Sequence, residues 1–149
     1  MIKFFVFFAS SSLWFSTFFQ NVPIQAQDPQ PSKELKDSLV KGLEIYSSFC
    51  ISCHMQSGEG ISGAFPPLAK SDYLMKDRER SIHQAIFGVE GEIEVNGEMY
   101  YGMMQPTGLD DEQVANVLNY VRNSWGNKDL KVITKEEVAK VRAKADEGK

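Results

Sequence analysis

The only two cysteines of the chain stand three residues apart and are followed at once by a histidine, in Cys50-Ile51-Ser52-Cys53-His54. Four chemistries use such a pair: a disulfide, a redox dithiol, half of a zinc site, or a covalent haem tether. A disulfide here closes so short a loop that it removes little entropy from the unfolded chain. A redox dithiol belongs at a helix start after a strand, in a βαβ chain, and the sequence lacks that pattern. A structural zinc site needs four ligands; the chain offers two Cys and two His, but His54 directly abuts Cys53, which is not finger spacing.

The haem tether fits best. On a helical turn Cys50 and Cys53 lie three apart and His54 lies four from Cys50, so all three present to one side. The thiols can add to porphyrin vinyl groups while the imidazole reaches the iron. This use consumes both thiols and predicts haem c, covalently attached through Cys50 and Cys53.

The remaining sequence must position that cluster. The chain has 149 residues, with 16 Lys+Arg against 20 Asp+Glu. That is room for one domain with a core, and an acidic balance that argues against nucleic acid. Residues 1–26 have Lys3, then a Phe-rich apolar run broken by Ser10 to Ser12 and Ser16-Thr17, then Ala26. They read as a signal peptide rather than a span. Export to the periplasm or cell envelope of a bacterium follows, with membrane contact only if the segment stays uncleaved. Residues 27–32 form a linker around Pro29 and Pro31.

From Lys33 the pattern is helical, with Ser32 as N-cap and Leu35, Leu39, Leu43, Tyr46 and Cys50 on one face. Gly42 inside this helix costs roughly 1 kcal/mol relative to Ala and asks for a close backbone approach. Residues 55–70 are loop, and Asp77 caps a second helix that stops at Gly88. Ile93 and Val95 alternate with Glu92 and Glu94 ahead of Asn96-Gly97, a hairpin signal leading to a Met-rich loop. Asp110 with Gln113 forms a capping box for the strongest helix, whose apolar face is Val114, Val117, Leu118 and Val121. Thr134 with Glu137 starts a tail helix. The loops hold too few apolar residues for a self-supporting core, so a further group is expected to fill the middle.

In order, Gly42-x-x-x-Tyr46, CISCH, GEGISGAFPPLAKSDYL and the acid-capped helix with Val117 and Tyr120 resemble the class I c-type cytochromes. The resemblance covers about 85 of the 149 residues. The GEIEVNG hairpin, YGMM and NYVRNSWGN are most similar to bacterial cytochromes akin to the haem domain of some copper nitrite reductases. The resemblance implies an all-α cytochrome c fold. Three to five helices would surround one covalent haem, with a short β-hairpin before the axial-Met loop and an extra C-terminal helix. The domain would span 33–126 and the extension 127–149.

It further implies that His54 is the proximal ligand through Nε2, that the Pro66 carbonyl holds its other ring nitrogen, and that Leu68 packs on the macrocycle. Gly42 would let the first helix cross the last at Val117 and Tyr120. The sixth ligand would be Met104, two residues after Gly102, although Gln105 intervenes before Pro106; Met103 and Met99 are the alternatives. His83 is expected to be exposed rather than a ligand. The implied function is a monomeric His/Met electron carrier, not an enzyme, docking transiently with redox proteins at the haem edge. Glu90, Glu92, Glu94 and Glu98 form a solvated face that could steer a basic partner. Two alternatives stand beside it: an electron-entry subunit of a periplasmic reductase or dehydrogenase, and a ligand sensor if Met104 is labile.

Overall fold

Helix α1 (Lys33–Phe49) begins where the Ser32 hydroxyl accepts a hydrogen bond from the Leu35 amide at 3.1 Å, satisfying one of the free donors of the first turn. In this computed structural model, which describes residues 30–147, α1 makes its main packing contact with α5 (Asp111–Val121). The expected signal peptide and residues 27–29 of the linker lie outside the described residues. At Gly42 a Cβ would overlap the Asn116 carbonyl oxygen and approach the Tyr120 Cβ to 2.6 Å. The helix interior therefore carries a glycine because two backbones meet there.

The buried face of α1 is Leu35, Ser38, Gly42 and Tyr46, which corrects the expected stripe, since Leu43 is 47% exposed. The small residues Ser38 and Gly42 hold the middle of that face, between Leu35 and Tyr46. The polarity of Ser38 is satisfied there: its hydroxyl donates to Asn116 Oδ1 at 2.7 Å and accepts from Asn119 Nδ2 at 2.9 Å, as burial of a hydroxyl demands.

Helix α5 opens with a reciprocal capping box. Asp110 accepts from the Gln113 amide at 2.9 Å and Gln113 accepts from the Asp110 amide at 3.0 Å. Its Val114, Val117, Leu118 and Val121 join one apolar cluster with Ile82 and Ile86 of α4 (Arg78–Phe87). The same cluster takes in Ile133 and, from α6 (Lys135–Glu147), Val138 and Val141. The tail is thus part of the core. A charged clamp closes over it: Arg78 donates to Glu137 at 2.6 and 3.0 Å, to Asp129 at 3.1 Å and to the Lys131 and Val132 carbonyls. Arg122, buried, shares Asp129 at 2.8 Å and donates to the Leu74 carbonyl at 2.6 Å. A buried guanidinium is tolerated only when its donors are met in this way.

Two short helices, α2 (Ile51–His54) and α3 (Asp72–Lys76), flank the 55–70 loop. After α4 comes a narrow ribbon of β1 (Val89–Glu90), β2 (Ile93–Val95), β3 (Glu98–Tyr100) and β4 (Met103–Met104). Its tip, Asn96-Gly97, has φ of 53° and 81°, the positive pair a tight hairpin requires. β2 pairs β3 with Ile93 opposite Tyr100, and β1 pairs β4 with Val89 opposite Met104. Both ladders keep one register, so they form a single hairpin interrupted at residues 91–92 and 101–102. Among the described residues no helix is long and apolar enough to cross a membrane.

Candidate haem-binding site

The end of α1 runs directly into the cysteine turn. The Cys50 amide donates to the Tyr46 carbonyl at 2.9 Å, and the His54 amide to the Cys50 carbonyl at 2.9 Å. These bonds bring Cys50, Cys53 and His54 onto one helical turn. Both thiols are free and half-buried. Burial, with a smaller contribution from Cys53, pushes the Cys50 thiol up to about 11. Reactive dithiols have lowered values, so the direction at Cys50 runs against the redox-dithiol reading.

The His54 ring is buried, and its Nδ1–H donates to the Pro66 carbonyl at 3.0 Å. That bond leaves Nε2 for a ligand. Burial lowers the imidazole pKa, against an opposing contribution from the Pro66 bond, and so favours the neutral form that metal ligation needs. Two glycines shape the loop that delivers Pro66. A Cβ at Gly60 would lie 2.8 Å from the Pro66 oxygen, and one at Gly58 would overlap the Trp125 ring. The Gly60 amide binds the His54 carbonyl at 3.1 Å, and the Gly58 carbonyl accepts from Leu68 and Ala69 at 2.7 and 2.8 Å. Asn127 Nδ2 holds the Leu68 carbonyl at 2.7 Å.

Beneath the turn, the Tyr46 hydroxyl donates to the Met55 carbonyl at 2.6 Å. The Tyr46 ring centroid is 4.9 Å from Trp125 and 5.6 Å from Tyr120. Asn127, Gly58 and Gly60 were not singled out from the sequence. The SGEG run after the motif carried a signal for the glycines, but nothing local marks Asn127, which acts across 59 residues.

The methionines sit on the ribbon. Met103 is 63% exposed whereas Met104 is half-buried, because consecutive strand residues face opposite ways. Met99 is half-buried in β3, opposite Glu94. Just past β4, Thr107 Oγ1 donates to the Ala85 carbonyl of α4 at 2.7 Å. His83 is exposed, its ring 4.8 Å from Phe87. Glu98 differs from the other acids of the ribbon. It accepts from Ser62 Oγ at 2.5 Å, from the Gly63 amide at 3.0 Å and from the Tyr100 hydroxyl at 3.0 Å. Hydrogen bonds, that from Ser62 first, hold its carboxyl below the usual range. The 61–65 loop is thereby tied to the ribbon, and Ile61, Phe65, Tyr101 and Met103 are large apolar side chains left exposed there.

This donor set suits a covalent haem: two free thiols, an imidazole with its outer nitrogen already bonded, and thioether sulfurs on a separate element. Comparison with known proteins agrees. Residues 39–125 match the cytochrome c family. Cytochrome c-552 of Thermus thermophilus is 45% identical over 112 residues, covering 69% of this chain and 85% of that protein. The cytochrome c subunit of the alcohol dehydrogenase (quinone) of Gluconobacter oxydans (strain 621H) is 30% identical over 105 residues, 68% of this chain and 22% of that subunit. The gluconate 2-dehydrogenase cytochrome c subunit of Pantoea cypripedii is 32% identical over 125 residues, 78% of this chain and 27% of that subunit. The chain belongs to the cytochrome c family and is a haem electron-transfer protein, carrying haem c through Cys50 and Cys53.

Proposed function

We propose that the chain is a one-haem electron shuttle of the cell envelope, with His54 and Met104 as the axial ligands. The observation that carries this reading is the 3.0 Å bond from His54 Nδ1 to the Pro66 carbonyl, which fixes the tautomer and presents Nε2 as the donor. A bound haem supplies a one-electron Fe(II)/Fe(III) couple. The chain does the rest: Met104 would offer a soft sulfur that favours the reduced state, and Leu68 would pack against the macrocycle. With both axial donors drawn from the chain, no coordination position remains for a substrate, so the protein carries electrons and catalyses nothing alone.

Residues 1–26 act as an export signal and 27–32 as a linker; the haem domain spans 33–126, with 127–149 as its tail. Ile61, Phe65, Tyr101 and Met103, near the exposed Glu90, Glu92 and Glu94, suit a small transient contact with a basic-rimmed redox partner. Absorption spectra of oxidised wild type and Met104→Ala test the ligand. The weak long-wavelength sulfur-to-iron band is expected only in wild type, and its survival in the variant would move the assignment to Met103 or Met99.

A second reading is favoured by the relatives that are cytochrome c subunits of dehydrogenases: electron entry or exit within a periplasmic dehydrogenase complex. Stable co-purification with a large dehydrogenase subunit would support it, and recovery as a free monomer would support the shuttle.

A further inference from the structure

The Met104 strand is not placed by its hairpin alone. Gly88 ends α4 with its amide bonded to the Gln84 carbonyl at 2.9 Å, and its backbone has φ 82° and ψ −170°. A Cβ on Gly88 would overlap the Met104 carbonyl oxygen and lie 3.0 Å from both the Gln105 carbonyl carbon and the Pro106 nitrogen. These are all backbone atoms, which cannot swing aside as a side chain would. Val89, the next residue, pairs with Met104, and Thr107 ties the far side of the same segment to Ala85. Helix α4 is itself fixed by buried Ile82 and Ile86 and by the Arg78 clamp.

We infer that Gly88 is a positioning residue for the sixth ligand: its missing side chain lets the Met104 peptide seat against the end of α4, and this sets how far the thioether reaches. The inference rests on Met104 as that ligand. It makes the helix, rather than the ribbon, the element that determines whether the chain is a closed carrier or open to exogenous ligands.

The test is the haem-loaded protein with Gly88→Ala, set beside Gly97→Ala. Gly97 has nearly the same φ, 81°, but nothing within 4 Å of its would-be Cβ, so it reports backbone strain without the collision. Gly88→Ala is expected to lose the sulfur-to-iron band and to bind carbon monoxide rapidly when reduced. Gly97→Ala should keep the band and bind carbon monoxide as slowly as wild type, with only its melting temperature lowered. A band kept in Gly88→Ala but lost in Met104→Ala would overturn the role of Gly88 alone. A band kept in Met104→Ala would overturn the ligand reading and this inference with it. If Gly88→Ala does not fold, Thr107→Val releases the same segment more gently. Faster carbon monoxide binding then supports the inference, and an unchanged rate overturns it.

Discussion

On the His54 side, a buried ring is bonded to Pro66, its own carbonyl to Gly60, and the next carbonyl to Tyr46, over a bed of Trp125 and Tyr120. On the Met104 side, a half-buried thioether rides on a two-residue strand held by Val89, by contact with Gly88 and by one bond from Thr107. The difference is one of redundancy. The histidine side draws on α1, the 55–70 loop and the end of α5, while the methionine side hangs from the end of α4. Local stability follows the density of such contacts, so the methionine, as the proposed sixth ligand, is the one that should let go first under stress.

The largest expected effect removes the side that is over-determined. Replacing both Cys50 and Cys53 with Ser should abolish covalent haem, read by haem staining after denaturing electrophoresis, and no repair on the methionine side should restore it. Next is Gly42→Ala, which drives a methyl into the Asn116 carbonyl one turn before Tyr46. A helix-propensity gain of about 1 kcal/mol should be outweighed by overpacking of up to about 3 kcal/mol, measured by urea unfolding. Tyr46→Phe leaves the Met55 carbonyl without its partner and should cost about 1 kcal/mol, with the sulfur-to-iron band intact. Loss of that band in Tyr46→Phe would break the separation between the two sides.

The smallest effect concerns acid. The Arg78 guanidinium lowers the Glu137 pKa from 4.5, so this group stabilises the fold fully above that value and ceases to do so as pH falls through the lowered one. Wild type should exceed Glu137→Gln in stability at neutral pH, and the two melting curves should converge in acid. Because this clamp anchors the start of α4, its loss should weaken the methionine side before the histidine side.

Features that depend on neighbouring residues could be read from the sequence. The CISCH turn, the Asp110–Gln113 box and the Asn96-Gly97 tip each depend on residues within a few positions, and each is present in the fold. Leu43 departs from the hydropathy stripe because the helix contact at Gly42 requires a small residue and brings polar Ser38 inside. The β1–β4 ladder had no signal, since two-residue strands are too short to show alternation. Arg78 reaches Asp129 from 51 positions away, and no local pattern announces such a partnership.

The ribbon is pinned at both ends, at its base by Gly88 and Thr107, and at its tip by Asn96, which exchanges hydrogen bonds of 2.8 and 3.0 Å with Asp72. A residue gained or lost from one arm has nowhere to spread and must appear as a slip in pairing. Since one step of slip turns every side chain to the opposite face, it would exchange the places of Met103 and Met104. Which sulfur points inward is therefore a matter of parity, counted in residues from the turn, and arm lengths can change safely only in matched pairs.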